Sequence, residues 1–465
     1  MTNKVIKSSL WYTISSFLLS GISFLTTPLF TRILSLEEYG AYSNFNAVYS
    51  IISVIITLNL GSTLIRAQYD FSDDKEGYTS TLLYISTIIV FVALILGNIF
   101  YDQIFSFLML DRFALNVMFV SLMFLPSVNI FQIWQRIEYK YKMSVLVSFL
   151  SSIGNVMFSL LFVFTFENKL NGRILGSQLA GIIIGFCILI YYIHRSKKFN
   201  IEYCKYALKI CIPYLPHLLS LNILSMSDKL MITQISGSQY NALYSVAVNC
   251  GMIMTILMSA LNNAFSPWLG EKLHLKQYDN IRYFSYIYII LFCAVAMADM
   301  LFAPELMLIF GGTKYIEAKY AIPPIIMGCM CQFLYTMYVN IEQYEKKTIG
   351  MAIASCIAAL INIVTNIIFI PKYGYIAAAY TTLFSYFCLL ILHYLLVRKM
   401  KLSKVYNTKY IFSILFILFL ISIISINLYN YILGRYILIV VYITIILITF
   451  LMFIKSGKYK QFIEK

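Results

Sequence analysis

Apolar runs of about twenty residues recur along the whole chain and limit what it can fold into. A helix crosses the hydrocarbon core of a bilayer in about 20 residues. On that ruler fourteen segments qualify: 10–33, 41–65, 80–100, 113–134, 143–166, 172–193, 210–235, 241–265, 283–303, 321–341, 349–370, 374–397, 410–430 and 435–454. The residues are 60% hydrophobic and 12% charged, with a mean hydropathy of +0.80. A soluble domain carries roughly 25% charged residues. The expected fold class is all-α, a polytopic integral membrane protein of about fourteen transmembrane helices. No loop has room for a soluble domain: the largest on the outer side, around Pro304–Lys319, is under twenty residues.

Basic residues orient this map. With the N-terminus inside, 26 Lys and Arg fall on the inner side and 8 on the outer side (Arg32, Arg112, Lys169, Arg173, Lys314, Lys319, Lys372, Arg435), with Lys229 inside a span. Cytoplasmic loops collect Lys and Arg, so both termini are expected in the cytoplasm. The same bias accounts for the net charge of +15 without nucleic acid. Lys4 and Lys7 precede a run too long for a signal-peptide core of about 7–15 residues, so segment 10–33 reads as a retained span. Most of the nine cysteines lie inside apolar runs and read as small buried residues, not a disulfide frame.

The chain echoes itself at a step of about six spans. "EYGAYS" (Glu38–Ser43) opens the second span and "YNALYS" (Tyr240–Ser245) the eighth. "SSIGNVMFSLLFVF" (Ser151–Phe164) matches the texture of "AALINIVTNIIFI" (Ala358–Ile370), and each precedes a glycine, Gly172 or Gly374, that opens the next span. An even step gives halves of like orientation, a parallel repeat. The expected divisions are an N-terminal lobe, 1–200, a C-terminal lobe, 201–400, and a segment, 401–465, with two further helices and a basic tail.

Polar residues recur at helical spacing in four spans: Ser16, Ser20, Ser23, Thr27 and Thr31; Tyr42, Ser43, Asn46, Ser50, Ser53 and Thr57; Asn222, Ser225, Lys229 and Thr233; Ser245, Asn249, Ser259 and Asn263. One such stripe alone signals helix packing. Four at corresponding places in two repeats point to a shared aqueous cavity. Segments 410–430 and 435–454 have scattered hydroxyls and belong on the outside of the bundle.

A charge in mid-bilayer costs about 2.5–3.5 kcal/mol on insertion scales and is a functional candidate. Lys229 is the foremost, on the face of Asn222 and Thr233. Its neighbour Asp228 points about 100° away, so the two are not expected to pair. Arg32 follows Pro28, which should kink the first helix; it either reaches the cavity through that kink or pairs in the hairpin with Glu37 or Glu38. Arg66 reads first as an inner-side anchor. Asp228 and Asp299 are candidates for ion coupling. There is no phosphate-binding GxxxxGK[ST] loop, no nucleophile elbow and no metal-ligand spacing among the four histidines. No metal, cofactor or enzymatic activity is expected.

"PLFTRILSLEEYGAYS", "SDKLMITQISGSQYNALYS" and "PKYGYIAAAYTTLFSY" (Pro371–Tyr386) resemble the bacterial polysaccharide repeat-unit flippases of the multidrug/oligosaccharidyl-lipid/polysaccharide exporter superfamily. The resemblance covers nearly the whole chain. It implies two six-helix lobes around a central cavity, two extra C-terminal helices, and alternating access. It implies a cargo of undecaprenyl-pyrophosphate-linked oligosaccharide, carried from the inner to the outer leaflet of the cytoplasmic membrane for O-antigen, capsule or exopolysaccharide synthesis. Cationic cavity residues would receive the pyrophosphate, a role that falls to Lys229, Arg32 and Arg66, and the amides Asn46, Asn222, Asn249 and Asn263 would hydrogen-bond sugars. H+ or Na+ as coupling ion, membrane lipids and a polysaccharide polymerase are the implied partners. The alternatives are a drug/cation antiporter of the same superfamily and a flippase for a peptidoglycan or teichoic-acid precursor. The antiporter type carries an acidic residue in an N-lobe helix, which the first two spans lack. A membrane sugar polymerase would need a large outer loop and paired catalytic charges.

Overall fold

The computed structural model describes residues 21–22 and 24–455. The regular elements among them are helices: α1 (24–33), α2 (Leu36–Thr57), α3 (Leu64–Asp70), α4 (Lys75–Ile99), α5 (Tyr101–Leu108), α6 (Arg112–Ile137), α7 (Tyr141–Thr165), α8 (Lys169–Arg195), α9 (Ile201–Ser236), α10 (Ser238–Cys250), α11 (Met252–His274), α12 (Tyr278–Leu301), α13 (Ala303–Phe310), α14 (Ile322–Tyr344), α15 (Thr348–Tyr373), α16 (Tyr375–Lys399), α17 (Thr408–Leu428) and α18 (Ile432–Lys455). Among the described residues 11 helices are long and apolar enough to cross a membrane, or 12 if α2 and α3 form one span across a 50° bend. They coincide with the expected segments from 41–65 to 410–430. The described apolar part of α18, Ile432–Ile445, is shorter than a full span. Most of segment 10–33, with Ser16, Ser20 and Ser23, lies outside the described residues.

The expected straight span 41–65 is broken. Leu58 and Asn59 take left-handed φ values of 50° and 48° between α2 and the 3-10 turn Leu60–Thr63. Asparagine tolerates that conformation because its short polar side chain bonds locally.

We call α1–α8 the first lobe and α9–α16 the second; α2 packs chiefly on α10 and α9, and α17 packs on α12 and α14. The first lobe buries two apolar clusters, one around Leu82, Leu83 and Ile130, the other around Phe45, Leu115 and Met118. The second lobe has a large core containing Phe292, Met330 and Leu334, which takes in Phe30 of α1 and Tyr39 of α2, and a smaller one around Leu224 and Ala358. Helix α9 belongs to both: Ala207 and Cys211 pack in the first lobe's Leu82 cluster, while Leu224 packs with Ala358 of α15 and Leu389 of α16. Pro213 and Pro216 lie between these two parts. The basic loop before α9 and the first turns of α9 are tied down as well. Tyr206 donates to Asp70 at 2.5 Å, Tyr203 to Asp74 at 3.3 Å, and Lys198 pairs with Asp74 at 3.4 Å. The expected division at 200/201 therefore precedes a stretch that packs with the first lobe.

The lobes meet where the two echoed motifs meet. A Cβ on Gly40 would lie 1.7 Å from the carbonyl oxygen of Ser238, so glycine alone allows α2 to approach α10 this closely. Asn241 donates to the Gly40 carbonyl at 2.9 Å, and the hydroxyls of Ser43 and Ser245, matching positions in the two motifs, share a hydrogen bond of 2.5 Å. Thr31 adds a bond to the Phe310 carbonyl at 2.6 Å.

Candidate functional site

A cavity of about 250 Å³ lies directly against this contact. Its wall takes residues from both lobes: Phe30 of α1, Tyr42 and Asn46 of α2, Asn155 of α7, Arg173 of α8, Lys229 of α9 and Asn249 of α10, among others. Among the described residues its wall has two cations and no carboxylate.

Arg173 is placed by tight packing of α8 on α7. A Cβ on Gly176 would lie 2.4 Å from Cα of Ser159, so the hairpin closes around a glycine. Arg173 is 6% exposed. Its guanidinium lies 3.8 Å from the ring centroid of Phe30 and 4.3 Å from that of Tyr42, a cation–π sandwich. Its Nη1 donates to Asn155 Oδ1 at 3.1 Å and to Ser159 Oγ. Its Nε has no hydrogen-bond partner among the described residues. A planar fork with one nitrogen anchored and donors left over suits a phosphate, which arginine binds through paired N–H groups. Lys229 is half-buried and forms no ion pair among the described residues.

Of the other expected residues, Asn46 and Asn249 line the cavity. Asn249 donates to Tyr39 at 3.1 Å, which ties the two lobes together. Asn222 accepts from Ser50 at 2.9 Å, a lobe-to-lobe bond outside the cavity wall. Asn263 is exposed and apart from the cavity. Two expectations need correction. Arg32 does not turn inward: it is exposed and donates to the carbonyls of Pro28 at 3.1 Å and Ile309 at 3.2 Å, so it joins α1 to α13. Arg66 is exposed beyond the bend and pairs with Asp70 at 3.2 Å. The second cavity cation is Arg173, whose place at the start of a span puts it with the outer-side charges in the sequence. A usable signal was present: Asn155 and Ser159 step by four on α7, a polar face waiting for a partner.

Asp228 lies in different surroundings. It is 1% exposed and accepts three hydrogen bonds, from Tyr244 at 2.6 Å, Asn366 at 2.7 Å and Thr382 at 2.5 Å. Asn362 extends the network, accepting from Ser227 at 2.9 Å and donating to Thr382 at 2.9 Å. The carboxylate joins α9, α10, α15 and α16 in the second lobe's core. Asp299, on α12, is 5% exposed and its Oδ2 has no partner among the described residues.

The comparisons agree with this architecture. A family model described as polysaccharide biosynthesis protein matches residues 5–272, and a MatE model matches 213–368. A protein of the Lsg locus of Haemophilus influenzae is 22% identical over 398 residues, spanning 81% of this chain and 95% of that protein. Among solved structures, the lipid II flippase MurJ in an inward closed conformation superposes with a TM-score of 0.70 at 15% identity, covering 92% of this chain and 100% of that one. An inward-facing multidrug resistance MATE transporter of the MOP superfamily gives 0.59 at 15% identity over 84% and 95%. The chain thus belongs to the polysaccharide biosynthesis protein family and has the multi-pass, two-lobed fold of the multidrug/oligosaccharidyl-lipid/polysaccharide exporter superfamily.

Proposed function

We propose that this protein carries an undecaprenyl-pyrophosphate-linked oligosaccharide repeat unit from the inner to the outer leaflet of a bacterial cytoplasmic membrane, by alternating access, in the assembly of a surface polysaccharide. The observation that supports this most is the charge of the inter-lobe cavity: among the described residues Arg173 and Lys229 face it and no carboxylate does. A pyrophosphate cannot enter hydrocarbon bare. A buried arginine and a half-buried lysine replace its water with charge-assisted hydrogen bonds, while the polyprenyl tail stays in the bilayer. Asn46 and Asn249 offer both donors and acceptors to sugar hydroxyls.

Gly40, Ser43, Asn241 and Thr31 make contacts beside the cavity that hold α1 and α2 against the second lobe. In this reading these contacts lie on the outward side of the cavity. A drug/cation antiporter would use a carboxylate in the cavity to hold its cationic cargo, so the wall observed here argues against that alternative. A peptidoglycan or teichoic-acid precursor on the same carrier lipid shares the pyrophosphate and is separated by its sugars. Energy for the cycle would enter through an ion at Asp228, and a polysaccharide polymerase would take the unit on the outer side.

The test is genetic and direct. Lys229→Ala should abolish surface polysaccharide while the protein remains in the membrane, and Lys229→Arg should retain part of the export. Normal export by the alanine variant would remove the phosphate-receiving role.

A further inference from the structure

The short helices α5 and α13 hold corresponding places in the two lobes. Each has eight residues and directly follows a long helix, α4 or α12. Arg32 and Gln234, Phe107 and Ile309, and Ser43 and Ser245 are all pairs 202 residues apart. They match in their bonding too. Arg32, near the end of α1, donates to the Ile309 carbonyl of α13 at 3.2 Å. Gln234, near the end of α9, donates through Nε2 to the Phe107 carbonyl of α5. Each bond runs from the first helix of one lobe to the short helix of the other.

The last four carbonyls of a helix have no partner within it. Both short helices satisfy theirs from outside. The carbonyl after each bonded one is also taken: Phe310 accepts from Thr31 at 2.6 Å and Leu108 from Asn44 at 2.8 Å. Their other ends are anchored. Glu305, in the first turn of α13, accepts from both terminal nitrogens of Arg435 at 2.9 and 2.5 Å. Tyr101, which opens α5, lies 4.6 Å from the guanidinium of Arg112. Arg32 stands eight residues before Gly40 and Gln234 four before Ser238, so both bonds adjoin the tight contact of α2 with α10.

The two bonds are unequal. At α13 the donor is a cation, which suits the negative end of a helix. Lys314 returns the bond by donating to the Leu34 carbonyl, just beyond α1, at 3.3 Å, and Tyr315 packs edge-on against Tyr39 with ring centroids 6.1 Å apart. At α5 the donor is a neutral amide.

We propose that α5 and α13 are paired clasps, a strong one gripped by Arg32 and a weak one gripped by Gln234, that hold the lobes together at the Gly40 end and must both release before they part there. This rests on the alternating-access reading, in which that end opens during the cycle.

Thiol labelling of the full chain in nanodiscs, without any cargo, tests this. The reporter is Ser245→Cys, at a position 1% exposed against Ser43. A dilute water-soluble maleimide reacts there in proportion to the open population, and mass spectrometry counts the adduct at that residue. Native Cys211, buried beside Asn59 at the opposite end of α2, reports any general loosening. Arg32→Ala should label about tenfold faster and Gln234→Ala about threefold faster, as expected for loss of one charged and one neutral hydrogen bond. The double variant should show the product, about thirtyfold, because distant sites add in free energy. Gln234→Arg, which gives the weak clasp a cationic donor, should slow labelling below wild type. Cys211 should react alike in all of them. Either alanine variant labelling at the wild-type rate, a double variant no faster than the quicker single one, or an equal rise at Cys211 overturns the proposal. Because cargo is absent, such a failure leaves the cargo reading to its own test.

Discussion

The α7–α8 hairpin and the α15–α16 hairpin occupy corresponding places in the two lobes, and each presents polar side chains four residues apart: Asn155 and Ser159 on α7, Asn362 and Asn366 on α15. On the first hairpin, Asn155 and Ser159 accept from a cation, Arg173. On the second, Asn366 donates to an anion, Asp228. An amide carries donors and an acceptor together, so one scaffold can serve either sign. What differs is the remaining wall. Arg173 has aromatic faces and a cavity beside it, whereas Asp228 is sealed by Tyr244 and Thr382. The lesson is that one amide arrangement serves a cation beside a cavity and an anion in a sealed core, according to the charged residue delivered to it. Lys229 and Asp228 show the same split within a single helix: consecutive residues, one in the wall of the cavity and one in the core.

If only the first hairpin meets cargo, locking the lobes together should abolish transport outright. Ser43→Cys with Ser245→Cys places two thiols where hydroxyls now touch. Oxidation should stop export completely, and reductant should restore it. Continued export by the oxidised, cross-linked protein would show that this end need not open.

Next in size is a matched pair of amide deletions. Asn366→Leu strips a donor from a buried carboxylate and should cost about 1–3 kcal/mol of stability, seen as a lowered Tm in detergent. Asn155→Leu should leave Tm nearly unchanged and reduce export severalfold, because Arg173 loses an anchor beside a cavity. The same Tm loss in both variants would erase the contrast between the hairpins.

The smallest effect is expected at Arg66. Its pair with Asp70 is exposed, and such pairs contribute about 0–1 kcal/mol. Arg66→Ala should export normally, and a clear export defect would bring this end of the first lobe into the mechanism.

The number and positions of the spans were legible because hydrophobic length is a local property. The matching motifs around Ser43 and Ser245 also led to the place where the lobes touch. The divergence of Lys229 from Asp228 followed from helical geometry alone. Polarity by itself did not reveal wetness. Asn222, Ser245 and Thr233 belong to cavity-like stripes, yet each is hydrogen-bonded to a neighbouring helix, through Ser50, Ser43 and Asn241. Arg173 was hidden because its position at the start of a span made it look like a loop charge, and its burial depends on Gly176 drawing α8 onto α7. Arg32 misled in the opposite sense: the Ile309 carbonyl that holds it is remote in sequence. The partners of Asp228, Asn366 and Thr382, lie on two other helices, where only tertiary packing could reveal them.

The central claim is that Arg173 and Lys229 hold the pyrophosphate of the cargo inside the seam. Its most direct test is equilibrium binding of undecaprenyl pyrophosphate to the purified protein in nanodiscs, wild type against Arg173→Gln and Lys229→Gln. A charge-assisted hydrogen bond contributes about 1.5–3 kcal/mol, so each variant should bind about 10- to 100-fold more weakly, while undecaprenol without phosphate binds all three proteins alike. Equal affinity of both variants and wild type for the pyrophosphate would contradict the account.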